Sequence, residues 1–431
     1  MCIIAGAALS IGAGDPTPKV IAVRPTNPLE VRIDFDRPFD PGLPARMVGR
    51  FIAFGDSVVP GSEPSSSALS DPKDPTRGAI RIAAAIPLDD DRALRLVTDP
   101  HPIDTRYSLR IPTEPKSVDL VYDLSGVEVV WEEEVPDEAT SRRFVWPSLD
   151  PRAAMERLGA IPETAEYAAC ATKPGRLTLS TMARLPKGRL TVLLRSNRPF
   201  EAVLFNEPVE VAAEGKRWSG RATIESSGEP IDLTLRIQTG TTEPIEVETL
   251  AATSPNSSET KVESSRLILP WAPSPPPPAS ASRPVAALYE GGDPTSGAKV
   301  FRSDAAKCAT CHVYRGEGGK VGPALDELVG RERSWVYRQV AEPSATIQPR
   351  YVPYTVVTKD GRVAQGIVHA IGADRISVVD TEAKSTEFRR EEIEELRPSS
   401  TSIMPVGLTG AIGEQAMRDL VAYLVTPPAA K

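Results

Sequence analysis

The spacing of apolar residues changes along the chain. From Pro18 to about Pro112, short apolar runs are separated by clusters rich in Pro, Asp, Gly and Ser. Leu29, Val31, Ile33 and Phe35 alternate with Glu30, Arg32 and Asp34, which predicts a strand with one buried and one solvated face. Runs at Lys19–Val23, Val48–Phe54, Ala79–Ile82, Ala93–Val97 and Tyr107–Ile111 predict further short strands, with a long polar loop from Pro60 to Pro75. Together they point to an antiparallel, immunoglobulin-like β-sandwich over residues 15–115.

Residues 116–172 read as a transitional segment. Ser117–Trp131 has room for two strands, Glu132-Glu133-Glu134 reads as a solvated acidic turn, and Pro151 to Ala169 is weakly helical with Met155 and Leu158 on one side. Strand patterns return over residues 173–270, at Arg176–Ser180, Arg189–Arg195, Ala202–Phe205, Ile231–Ile237 and Ile245–Leu250. They predict a second module, a β-sandwich or jelly roll. His101, between two prolines, reads as a loop residue without a nucleophile near it.

Residues 271–290 contain Pro273-Ser274 followed by four prolines, a stretch expected to extend as polyproline II at ~3.1 Å per residue and to hold the C-terminal domain away from the β modules. Over 291–431 a helical period appears. Asp293-Pro294 opens a helix with Gly297 and Phe301 four apart, Ser334 to Glu342 reads as a second helix, and Gly413 to Val425 places Met417, Leu420, Val421 and Leu424 on one stripe. Within this domain, residues 351–397 revert to alternation, with a Lys359-Asp360-Gly361 turn, and predict an inserted β-meander. The fold class is therefore multidomain: N-terminal all-β modules and a mainly α C-terminal domain.

Composition narrows the picture. Forty-three prolines favour strands, turns and linkers over long helices. A net charge of −8 argues against nucleic acid as a general partner, and no stretch approaches the ~20 apolar residues of a membrane span. Residues 1–14 are small and apolar like the second half of a secretory signal, without its basic start. They read as a truncated signal peptide or an ordinary tail.

The candidate chemistry is concentrated at Cys308-Ala309-Thr310-Cys311-His312. Two thiols three apart, followed by an imidazole, are the attachment pattern of a c-type haem. With 4 Cys and 3 His in 431 residues, the pattern arises by chance about 3 times in 10,000. Structural zinc would need two more ligands at short spacing, and Cys2, Cys170, His101 and His369 are all remote. A redox dithiol would need a βαβ context that the flanks lack. Cys170 reads as a buried small residue. For a sixth iron ligand, Met404 stands in a loop beside Pro405. Met417 belongs to a helical stripe and His369 to a strand, and an open or water-occupied sixth position is the remaining alternative.

Gly297 with Phe301, Cys308 to His312, Gly322-Pro323-Ala324-Leu325, Met404-Pro405 and Tyr423-Leu424 resemble the motif series of class I cytochromes c. The meander, with Pro343-Ser344-Ala345 and the Tyr351/Tyr354 pair, resembles the haem-binding domain described in Planctomycetes and Verrucomicrobia. The resemblance covers the last third of the chain. It implies one covalent haem c whose iron is held by His312 and Met404, with the Pro323 carbonyl orienting the imidazole, and Gly322, Leu325 and Pro405 shaping the pocket. It also implies that Gly297, Phe301 and Tyr423 lie where the first and last helices cross. The function expected is electron transfer to a partner dehydrogenase or oxidase, in the periplasm or otherwise exported. The β modules would dock the partner, a polysaccharide or the cell envelope. The alternatives are a haem peroxidase, the haem subunit of a carbohydrate oxidoreductase, and a β-module binding protein with a haem sensor. Of these readings, an electron carrier without substrate chemistry of its own is favoured.

Overall fold

The computed structural model describes residues 17–61, 70–71, 74–113, 116–134, 140–159, 161–253, 258–273 and 286–428. The signal-like segment 1–14, most of the Pro60–Pro75 loop and the proline run after Pro273 lie outside the described residues. The chain builds several antiparallel sheets, with most of the described helices near its C-terminus.

The first unit is an eight-stranded sheet. Its path runs Val20–Asn27, Glu30–Phe35, Ala93–Thr98, Asp74–Leu88, Phe51–Phe54, Tyr107–Ile111 and Val118–Tyr122, with Ser70–Asp71 paired to Asp74–Leu88. The strand Asp74–Leu88 pairs with Ala93–Thr98 through its C-terminal half and with Phe51–Phe54 through residues 78–81, so it serves both halves of the sheet. A register shift between Ile82 and Ala84 divides the two pairings. Val31, Ile33, Ile52, Ile82, Leu96 and Leu109 form the core.

The expected wet face of Glu30–Phe35 is covered. Asp34 is only 1% exposed and pairs at 2.7 Å with the fully buried Arg24, which also bonds Glu163. Alternation identified the two faces of this strand but not the helix from the next unit that lies over the polar one.

The stretch 116–172 is not a separate connector. Val118–Tyr122 extends the first sheet, while Val127–Glu133 and Ser141–Trp146 belong to a seven-stranded sheet with Gly175–Ala183, Ile231–Thr239, Phe200–Leu204, Glu207–Val209 and Leu267–Ile268. Glu132 and Glu133 lie within a strand and not in the expected acidic turn, because their backbones pair with Arg176 and Gly175 of the neighbouring strand; the Glu132 side chain stays partly solvated beside Arg176 at 2.9 Å. The opposing five-stranded sheet comprises Val211–Glu214, Arg217–Ser226, Gly188–Ser196, Val247–Ala252 and Thr260–Lys261. Leu177, Leu179, Leu190, Val192, Leu233 and Leu235 fill the space between. The helices Pro151–Leu158 and Pro162–Ala171 add Ala154, Leu158, Tyr167 and Cys170 to that core.

The C-terminal unit has its own core, where Pro294–Phe301 crosses Glu414–Val425 and Arg333–Ala341 packs alongside. The meander is five-stranded, in the order Ser385–Arg389, Arg375–Val379, Val363–Ile371, Tyr354–Thr358, Ile393–Pro398. Ile393–Pro398, which alternation did not reveal, pairs with Tyr354–Thr358 and brings the ends of the insertion together. Ser399 N–H donates to the Pro353 carbonyl at 2.8 Å. An insertion that begins and ends at one point leaves the helical core around it intact.

The meander rests against the first β unit, and the separation expected from an extended linker is not observed. Tyr354 Oη donates to the His101 carbonyl at 2.7 Å, Ala370 N–H donates to Asp99 at 3.0 Å, and Arg390 pairs with Glu30 at 2.7 Å. Leu29 belongs to the same apolar cluster as Tyr354, Val356 and Val368. The ends of residues 271–290 are also packed: Trp271 and Ala272 close the first core, and Tyr289 enters the C-terminal one. Direct apolar and polar contact thus fixes a relation that the linker composition alone could not.

Candidate functional site: the Cys308–His312 turn

Cys308–Cys311 forms one helical turn, closed by His312 N–H donating to the Cys308 carbonyl at 2.9 Å. The glycine-rich loop folds back over this turn. Gly319 N–H bonds the Ala309 carbonyl, and Val321 and Gly322 N–H both bond the Cys311 carbonyl. This places Pro323 beside the imidazole, with His312 Nδ1 2.8 Å from the Pro323 carbonyl oxygen. Nδ1 therefore carries the proton and donates. Nε2 has no hydrogen-bond partner among the described residues and keeps a lone pair for a metal.

Gly322 backs the ring. A Cβ there would lie 2.5 Å from His312 Cε1 and 2.8 Å from Nδ1, so only glycine lets the loop approach this closely. Burial lowers the His312 pKa, with the bond to Pro323 opposing it, which favours the neutral ring. Burial also pushes the Cys308 thiol up to about 11 and raises that of Cys311, to which the Asp380 carboxylate adds. Both cysteines are free and half-buried.

Cys308, Ala309, Leu325 and Met404 all pack at the half-buried edge of the C-terminal apolar core. Met404 N–H donates to Ser402 Oγ at 3.1 Å, and Ser402 N–H donates to Ser344 Oγ at 3.1 Å, which fastens the methionine loop to the segment before the meander. Pro405 is exposed. Met417 is fully buried in the last helix. His369 lies on Val363–Ile371, with Nδ1 3.9 Å from Asp99 of the first unit. His101 is fully buried, its ring bonded to the Pro28 carbonyl and Tyr122 Oη.

The helix crossing beside the site is tight. A Cβ on Gly297 would fall 2.0 Å from the Asp419 carbonyl oxygen. Phe301 and Tyr423 rings lie 6.0 Å apart. Two residues that pattern reading did not single out reinforce the crossing. Tyr314 Oη donates to the Tyr423 and Leu424 carbonyls, and Arg315 stacks on the rings of Tyr314 and Tyr423 and bonds the Thr426 carbonyl. Arg315 thus satisfies an open carbonyl at a helix C-terminus. The only sequence signal for it was its place shortly after the histidine.

These residues fit a covalent haem: two unpaired thiols on one turn, an imidazole fixed through Nδ1 with Nε2 free, and an apolar wall holding a thioether. Among the described residues no three His, Cys, Asp or Glu side chains cluster to hold a metal ion in another way. No described helix is long and apolar enough to cross a membrane.

Comparison with known proteins finds a likeness over a limited stretch: part of the chain resembles cytochrome c. Forty-five residues, 10% of the chain, are 44% identical to a cytochrome c from Cochliobolus lunatus, and the match spans 39% of that protein. No family model matches. Solved structures with some similarity include an anti-sigma factor domain-containing protein at 12% identity, over 56% of this chain and 84% of the other, with a TM-score of 0.24. A PA14 sugar-binding domain from an RTX adhesin is 10% identical over 34% of this chain and 99% of its own, with a TM-score of 0.25. TM-scores this low carry no argument about the present chain.

Proposed function

We propose that the chain is an exported c-type cytochrome that relays electrons. Cys308 and Cys311 would hold one haem through thioether bonds, and His312 Nε2 and Met404 Sδ would ligate its iron. The bound group would supply a one-electron couple, and methionine–histidine ligation favours a high reduction potential with no open position for substrate chemistry. The observation that carries the reading is the His312 Nδ1–Pro323 bond, with Gly322 against the ring, directly after the two thiols. Pro323 keeps the proton on Nδ1, and Gly322 lets the loop hold that carbonyl in place. Leu325 and the apolar core exclude water from one side of the site, which limits reorganisation when charge changes. Location outside the bacterial cytoplasmic membrane, in the periplasm or beyond, follows from where C-x-x-C-H attachment takes place. The redox partner would be a dehydrogenase or oxidase, and the β units would dock a partner, a polysaccharide or the envelope.

The test is an absorption spectrum of protein exported by a host able to attach haem. The expected result is a c-type reduced spectrum that survives denaturation and is lost in a Cys308→Ala/Cys311→Ala variant. The oxidised protein should show the weak long-wavelength band of thioether ligation, absent in Met404→Ala. Protein that takes up no covalent haem would overturn the proposal, and an unchanged Met404→Ala spectrum would remove Met404 as ligand.

A further inference from the structure

The meander, the first β unit and the second β unit border an open cleft of about 1390 Å³. No single unit forms it. The first unit contributes Asn27 to Glu30 and Arg95, with Trp271 from the segment that closes its core. The second contributes Glu128, Arg143 and Asp232, and the meander contributes Lys359, Asp374, Arg375, Arg389 to Glu391 and Ile393 to Arg397. Cys308, His312 and Met404 are not among its lining residues. The volume exceeds the ~300–1,000 Å³ of an ordinary small-molecule pocket, which favours an extended ligand.

The charges of the cleft indicate the ligand class. Basic and acidic side chains line it in equal number. Most are neutralised in pairs: Arg390 with Glu30 at 2.7 Å across the unit boundary, Arg143 with Glu128 at 3.2 Å, Arg389 with Glu391 at 3.5 Å, Arg375 with Glu387 at 2.7 Å, and Arg397 with Glu395. A phosphate polymer or polyanion would need a net positive wall, and a polycation a net negative one. The wall presents neither. It presents planar donors and acceptors of both kinds, the complement of a neutral chain of hydroxyl groups.

Four side chains offer polar groups to this space. The Trp271 indole N–H and Arg95 Nε are buried without a hydrogen-bond partner among the described residues; Trp271 is 6% exposed as a whole, and Arg95 Nε faces the Glu30 carboxylate from 3.9 Å, beyond hydrogen-bond reach. Asp232 and Asp374 line the cleft as exposed carboxylates that form no ion pair among the described residues, which leaves them available as acceptors. Buried donors left open are uncommon in native proteins and mark places where water or a ligand completes the network.

We infer that this cleft binds a neutral, polyhydroxylated oligosaccharide, held by Asp232 and Asp374 as acceptors and by Arg95 and Trp271 as donors. The inference deepens the docking role proposed for the β units and does not depend on the haem. The experiment is calorimetric titration of the full chain with cellohexaose, xylohexaose and maltohexaose, and with the corresponding disaccharides. One hexasaccharide is expected to saturate at one site and to bind at least about tenfold more tightly than its disaccharide. The Asp232→Asn/Asp374→Asn and Arg95→Gln variants should weaken binding by about tenfold or more while melting like the parent. Trp271→Phe, which keeps the ring and removes the N–H, should also weaken it. Three results would overturn the inference: no hexasaccharide binding at millimolar concentration, binding unaltered in all the variants, or tighter, salt-sensitive binding of polygalacturonate. Absorption spectra of the same samples should not differ between parent and variants. Absence of haem would therefore count against the electron-transfer reading alone, and absence of titration against the cleft alone.

Discussion

A methyl group at residue 322 would press on the His312 ring from 2.5 Å. Gly322→Ala should therefore displace the loop, lengthen the bond from Nδ1 to Pro323 and cost about 1–3 kcal/mol of stability. The haem-loaded variant is expected to show an altered Soret band and a lowered melting temperature, and a spectrum and melt equal to the parent's would contradict the close approach. His101 gives the chain a pH dependence of different origin. Burial lowers its pKa from the usual 6.5 to about 4, outweighing its bond to the Pro28 carbonyl. The ring is thus neutral in the fold and takes up a proton more readily when unfolded. Its contribution is fully present above pH 6.5 and is lost as pH falls toward 4, to the extent of roughly 3 kcal/mol. Urea denaturation of the first unit from pH 7 to 4 should show that loss, and a His101→Gln variant should lack this part of the slope.

At the scale of elements, polar contacts decide how neighbours meet. Arg24 and Asp34 sit on adjacent strands with essentially no exposure, and Glu163 reaches them from the helix Pro162–Ala171. Arg32 also pairs with Asp34 at 2.9 Å and Glu163 at 3.8 Å, so removing Arg24 leaves two carboxylates to share one guanidinium with a net buried charge, and Arg24→Met should destabilise the protein by about 3–5 kcal/mol. Denaturant titration measures this directly, and a change below about 1 kcal/mol would mean that the cluster is solvated. The crossing of Pro294–Phe301 with Glu414–Val425 depends instead on a missing side chain. Gly297→Ala would set a methyl 2.0 Å from the Asp419 carbonyl oxygen, and the two helices must then separate. The melting temperature of the C-terminal unit is expected to fall, with a loss of about 1–3 kcal/mol.

At the scale of the molecule, the meander links the Cys308–His312 domain to the β units. Its strand Val363–Ile371 is bonded to the first unit through Ala370 N–H and Asp99, and its turn before Ile393–Pro398 through Arg390 and Glu30. Replacing Asp99 and Arg390 by alanine should loosen this face without disturbing the helical core. Hydrogen exchange should then quicken at Ala370 by about tenfold or more, the equivalent of one hydrogen bond of about 1.4 kcal/mol. Unchanged protection would show that the apolar contact around Leu29 is enough by itself. A rigid mount of this kind would also hold the proposed haem in a fixed orientation to the cleft.

The local pattern of the chain determined its β-rich N-terminal part, its C-terminal helices and its one concentration of chemistry. Alternation at Glu30–Phe35 or Ile231–Thr239 and the five residues Cys308 to His312 are short-range properties, visible without a fold. The strands from Glu207 to Ser226 and Ile393–Pro398 were not visible, because they are mostly polar or half-exposed and are held by pairing with neighbours. Tertiary structure alone placed Asp34 in a buried ion pair and His101 in a core. It also seated the meander on the first unit and assembled a cleft from three units. The physical reason is that each of these depends on residues far apart in sequence, whose contacts are set by which surfaces bury each other and not by any pattern along the chain.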